Sequence, residues 1–402
     1  MCPTEAIPDS IATPDREWSL LRAACSSDTG PETNERIHRL LSQSICWKFL
    51  YDLAERHGTQ PLLCQALSGL GEAVPREQMQ LLEQRAQINL HKAMFLSCEL
   101  IRIFDCLAAV GIEVIPYKGL ALAEAIYGDI ALRQSGDIDL LIRPHDLPRI
   151  REVVKDLGYI PHSPLSTDQE SCYLKSGYEC AFDGAAGRNL LEVQWAIQPR
   201  FYAVDFDVEG LFQRAVTLSV AGHAMKTPSA EDSFLILSLH AAKHVWGRLI
   251  WLCDLDRIMK LPELNWDRIA TQAIRLGIVR ILRVTMLLAT GLLGASIPLS
   301  AESSLPKDLA AGKLAEEIGR HITAEAAYDV ESVDYFRLML RLRERLSDRI
   351  RFVSRLALTP GPKEWAAVRL PGPLFPLYRL VRLTRLAARL VGTGSQPSST
   401  AI

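Results

Sequence analysis

The nine cysteines of this 402-residue chain include no Cys-x-x-Cys pair. Their positions, 2, 25, 46, 64, 98, 106, 172, 180 and 253, are odd in number and scattered. That argues against a disulfide framework and a four-cysteine zinc site, and buried thiols in a reducing cytoplasm are expected. Neither sign of charge dominates: Lys and Arg total 45, Asp and Glu 47, for a formal charge of −2. A globally basic nucleic-acid binder is disfavoured, and DNA is not expected as a partner. Long apolar runs are missing too. The longest uncharged stretch, residues 284–301, holds 18 residues and is broken by two glycines and Pro298. It suits a buried helix better than a membrane span. The first 18 residues contain three prolines and no basic opening, so no secretory leader is expected. Hydrophobic residues at 48% and charged residues at 23% exclude wholesale disorder.

What is present divides by pattern. Residues 1–15 read as a disordered lead. Over residues 16–110 the apolar positions recur at helical spacing, as in Leu96, Leu100, Ile103 and Leu107. Gly111 stands where a helix would end in a left-handed residue. Residues 111–228 then change character. Residues 112–117 are β-rich, Leu120–Tyr127 is an amphipathic helix, 137–142 a second strand and 144–157 another helix. Residues 178–183 and 189–197 form two strands around a glycine-containing turn. Helical spacing returns over 229–330 and in an arm over 331–391, interrupted at residues 360–362 and 371–373. Residues 392–402 read as a flexible tail. The expected fold class is α+β, a small mixed-sheet core embedded in helical N- and C-terminal regions.

The chemistry concentrates in the core. Asp137 and Asp139 flank Ile138 on one strand, so alternation puts both carboxylates on one face. Two such groups repel unless a cation lies between them, and carboxylate oxygens suit Mg²⁺ or Mn²⁺. Lys118-Gly119 lies between a strand and the start of a helix. Free backbone N–H groups and the helix dipole favour an anion there, and the lysine adds charge. A third acid completes such a centre. Glu192 is the best candidate, because Leu191, Val193 and Trp195 alternate with Glu192 and Gln194. A phosphate cradle beside paired acids is what nucleotidyl transfer needs.

These residues resemble the nucleotidyltransferase superfamily built on a DNA polymerase β-like core. Its pattern is a glycine-containing turn opening a helix, Asp-x-Asp on the next strand and one more acid on a later strand. The chain looks most like an uncharacterised bacterial family with Lys118-Gly119, Arg133 and Asp137-Ile138-Asp139-Leu140-Leu141 in order. The likeness extends to the segment from Leu239 to Trp246, to Trp251 with Asp254, and to Leu370-Pro371. There are two departures: Leu120 replaces a second small residue, and Gln194 stands where His is expected. The resemblance implies transfer of a nucleoside monophosphate from an NTP, ATP first among them, with Mg²⁺ or Mn²⁺ and release of pyrophosphate. Asp137, Asp139 and Glu192 would be metal-binding and catalytic, and Lys118, Gly119, Arg133 and Ser135 would hold the nucleotide. The acceptor, whether small molecule, peptide or protein, is left open. Two alternatives stand beside this reading: a non-catalytic nucleotide-binding protein, and a metal-dependent glycosyltransferase using the Asp-x-Asp pair.

Two further features carry readings. His240 and His244 share a helix face at a spacing that can bind zinc, but the Glu of His-Glu-x-x-His is missing, so packing is preferred. Between Asp334 and Leu390 there are twelve arginines and one lysine against four acids. Arg379, Arg382, Arg385 and Arg389 interleave with leucines, as in helices that contact anionic membrane surfaces or pack their leucines inward.

Overall fold

A computed structural model describes residues 15–163, 166–325, 328–329 and 332–390. Residues 1–14 of the expected lead and the tail over 392–402 lie outside them. The architecture is α+β: one five-stranded mixed sheet and one hairpin set among helices. The sheet comprises β1 (Ile115–Pro116), β2 (Asp137–Leu141), β3 (Ile160–Pro161), β4 (Glu179–Asp183) and β5 (Leu190–Gln194). Its order is β1-β2-β5-β4-β3, with β2 and β5 parallel and the other pairs antiparallel. Strands β6 (Val216–Val220) and β7 (His223–Thr227) form the hairpin.

The central register follows from burial. Ile138 and Leu140 on β2, and Leu191 and Val193 on β5, point into one apolar layer. Leu96, Leu100, Ile103 and Leu107 of the helix Arg76–Ala109 meet them there, spaced to lie on one helix face. Each such side chain contributes about 1.5–3 kcal/mol on burial. A one-residue slip would drive acids into this layer, so the pairing Asp139↔Glu192 is pinned. The long helix ends as expected, with Gly111 at φ 72°.

The opposite face of the sheet meets a smaller cluster that includes Tyr117, Leu141, Leu211 and Ile236. Helices from before and after the sheet share one large core, from Trp18 through Leu252 to Phe352. Residues 284–293 lie in the helix Val279–Leu293, whose inner face belongs to that core. Among the described residues no helix is long and apolar enough to cross a membrane.

The arm turns at residues 360–362 and 371–373, as its prolines require. Its last helix, Tyr378–Leu390, directs Arg382 and Arg385 inward onto the buried carboxylate of Glu364, while Leu380 and Leu383 are exposed. Burying Glu364 without a partner would be costly, and two guanidinium groups meet that need. The four arginines therefore do not form one outward basic face. The Arg389 side chain lies outside the described residues.

Candidate active site

Two strands bring the acids together. Asp139 on β2 sits opposite Glu192 on β5, and Asp137 is two residues earlier on the same face. One oxygen from each of Asp137, Asp139 and Glu192 falls within 4.8 Å of the others. Asp139 is buried, and the other two acids are half-buried. The neighbouring strand adds Glu179, opposite Gln194 on the same side.

This cluster carries more negative charge than its surroundings balance. Repulsion from Asp139, aided by burial, raises the Asp137 carboxyl to about 6. Burial, then Asp139 and Glu179, raises Glu192 to about 8. Lys118 supplies one compensating cation, its Nζ 2.9 Å from Asp139 Oδ1. Burial opposes that charge, but Asp139, Tyr117 and Glu192 more than offset it and hold the ammonium well above its ordinary range. Among the described residues, Lys118 forms the ion pair to this trio.

Gln194 clamps the acids. Its Nε2 donates to Glu192 Oε2 at 2.9 Å and to Asp139 Oδ1 at 3.3 Å. Tyr117 Oη donates to the Gln194 carbonyl oxygen, which fixes the amide's orientation. Alternation had placed Gln194 beside Glu192; its bridging role needed the β2–β5 register.

The Lys118-Gly119 turn lies beside the acids. Lys118 is extended at the N-cap of the helix Gly119–Tyr127, and no side chain caps that terminus. Gly119 has φ 52°, which a side chain would strain. A Cβ added there would come up against the Asp137 carbonyl oxygen and the Ser135 hydroxyl. Ser135 Oγ is itself buried without a hydrogen-bond partner. An orphaned hydroxyl beside open helix N–H groups suits a phosphate oxygen.

Arg133 lies behind this cradle. Its Nε is 3.1 and 3.0 Å from the two oxygens of Asp254. Its terminal nitrogen is 3.0 Å from Asp254 Oδ2, and Tyr127 Oη donates to Oδ1 at 2.8 Å. Both charged partners are buried. This guanidinium ties the connector to the helix Leu249–Met259. A pairing over 121 residues leaves no local periodic signal.

The histidines pack. His240 and His244 have ring centroids 4.9 Å apart, and Trp251 lies against both. Burial pushes His244 down to about 3 and His240 well below its ordinary value. Among the described residues the one cluster of three metal-capable side chains is the acidic trio.

The sequence matches the model of a family described as uncharacterised nucleotidyltransferase over residues 43–294. The chain belongs to this family. The matched residues contain the whole acidic cluster and cradle, while the arm lies beyond them. The chain is also similar to the crystal structure of an antigenic nucleotidyltransferase-like protein from Paracoccidioides brasiliensis. That similarity has 18% identity and a TM-score of 0.30, over 52% of this chain and 95% of the other. No curated protein matches.

The donor set fits the metal expected for this family. All three groups are hard carboxylate oxygens and they converge, the donor chemistry that Mg²⁺ or Mn²⁺ takes.

Proposed function

We propose that the chain transfers a nucleoside monophosphate from an NTP, with ATP the first donor to test, to a hydroxylated acceptor. The observation that carries this reading is the Asp139↔Glu192 register, which converges three acids beside an uncapped helix terminus. Asp137, Asp139 and Glu192 would hold Mg²⁺ or Mn²⁺, which when bound neutralises triphosphate charge and polarises the α-phosphate. The Gly119 N–H, the following N–H groups and the Ser135 hydroxyl would donate hydrogen bonds to the β- and γ-phosphates. Lys118 would exchange part of its contact with Asp139 for a phosphate oxygen.

In the transfer, the acceptor oxygen forms a bond to the α-phosphorus. The bridging bond to the β-phosphate breaks, and pyrophosphate leaves with the electron pair. The acceptor's hydroxyl proton passes to the Glu192 carboxylate and then to water. Gln194 keeps Glu192 and Asp139 in place throughout. The eight described cysteines are all free, which suits work in a reducing cytoplasm.

Donor choice is tested by melting the chain with Mn²⁺ and either ATP or a nucleotide sugar. A larger rise with ATP supports nucleotidyl transfer. A larger rise with the nucleotide sugar would favour glycosyl transfer instead.

A further inference from the structure

A cavity of about 350 Å³ lies on the far side of the acids from the Lys118-Gly119 turn. The sheet order sets this arrangement. The turn follows β1, the aspartates stand on β2, Glu192 on β5 and Glu179 on β4. Tyr178, immediately before β4, lines the cavity, as does Lys243 at the end of the helix Ala230–Lys243. Lys243 Nζ donates to Tyr178 Oη at 2.6 Å and lies 4.5 Å from the centre of its ring. Burial lowers the Lys243 ammonium below its ordinary range; Glu179, Glu192 and Asp139 oppose that shift and Lys118 adds to it. Lys243 thus lines the cavity bonded to Tyr178, the residue next to Glu179 on β4.

The lining has a definite chemistry. Aromatic rings of Tyr173, Tyr178, Phe201 and Phe336 form its walls. Lys243 and Lys363 line it together with Arg382 and Arg385, whose guanidinium groups bond the Glu364 carboxylate, so the lining carries a net positive formal charge. That balance favours an anionic occupant with a flat apolar body. Its volume falls in the usual small-molecule range of about 300–1,000 Å³. The part of the lining from Tyr335 to Leu386 lies beyond the residues matched by the family model, whereas the cradle lies within them.

In-line transfer requires the nucleophile to approach opposite the departing pyrophosphate. With the triphosphate at the Lys118-Gly119 turn, that approach comes from the β4 side. Resting on the nucleotidyl-transfer reading, we propose that this cavity is the acceptor site and that the acceptor is a small, flat, hydroxylated anion held by Lys243. The C-terminal arm closes the site and sets its selectivity.

The test uses the full chain and two non-reacting or neutral probes, 1-naphthyl phosphate and 1-naphthol, in titration calorimetry. The phosphate is expected to bind roughly tenfold or more tightly than the alcohol, as one charge-assisted contact warrants. Lys243→Met is expected to erase that preference. Lys363→Glu, at an exposed position, is expected to reduce it and decides the matter if Lys243→Met fails to fold. Equal binding of both probes, or an unchanged preference in the folded variants, would overturn the acceptor site while leaving the donor reading untouched. The same preparation is melted with Mn²⁺ and ATP. No rise in the wild-type chain would overturn the nucleotidyl-transfer reading, and the acceptor assignment with it.

Discussion

Asp139 and Glu192 stand directly opposite each other on β2 and β5, the one parallel pair in the sheet. The connection between them passes through β3 and β4, so two acids far apart in sequence meet across one strand pair. Asp139 also receives Lys118 Nζ, which ties the anion cradle to the acids.

Removing one acid separates metal binding from folding. Asp137→Asn relieves repulsion with Asp139, so the metal-free variant is expected to melt no lower than the wild type. With Mn²⁺ and ATP at a hundredfold excess over Kd, the wild type gains about 2.7 kcal/mol. Asp137→Asn and Asp139→Asn are each expected to lose most of that gain in thermal melts. A full shift in both variants would contradict the metal assignment.

The raised carboxyls set a pH dependence. Asp137 at about 6 and Glu192 at about 8 titrate above free carboxyls. In that window the folded metal-free chain binds more protons than the unfolded chain, so these groups' contribution to stability falls as pH rises. Divalent metal must displace the same protons, so its affinity is expected to increase up to about pH 8 and then level off. Mn²⁺ titrations across this range check the slope, and Glu192→Gln is expected to flatten its upper part.

Arg133 distinguishes positioning from phosphate contact. Arg133→Met leaves Asp254 buried without its cation and is expected to cost about 3–5 kcal/mol in denaturant unfolding. The double change Arg133→Met with Asp254→Leu is expected to recover much of that loss. For the folded fraction, ATP affinity is expected to fall less in Arg133→Met than in Lys118→Ala. The reverse order would return Arg133 to the phosphates.

Glu192 and Gln194 share a face but differ in task. Once an acceptor is known, Glu192→Gln is expected to lower kcat by about 10²–10⁴-fold with little change in ATP affinity. Gln194→Ala is expected to be milder, because it loosens Asp139 and Glu192 without removing either acid. Equal turnover in Glu192→Gln and the wild type would move the third role to another acid, with Glu179 next on the same face.

Much of this centre was legible before the structure, because strand alternation is a local property. Asp137, Asp139 and Glu192 each follow from their apolar neighbours, and Lys118-Gly119 from the change of pattern into a helix. Long-range pairing was not legible in the same way. Asp254 opposite Arg133, Tyr178 against Lys243 and Glu364 beneath Arg382 each depend on tertiary approach rather than spacing. The last helix shows the limit most clearly. Its arginines and leucines have the expected spacing, but the need to neutralise a buried Glu364 decides which way it faces. Short elements were missed for a related reason. The two-residue β3 is too brief to show a period, and β6–β7 alternates weakly on a half-exposed hairpin.

The most direct test incubates the chain with Mn²⁺, a cell extract and ATP labelled at either the α- or the γ-phosphate. The α-label is expected on an acceptor, the γ-label only in pyrophosphate, and neither product with Asp139→Asn. Transfer of the γ-label, or equal α-label transfer by Asp139→Asn, would contradict nucleotidyl transfer by this centre.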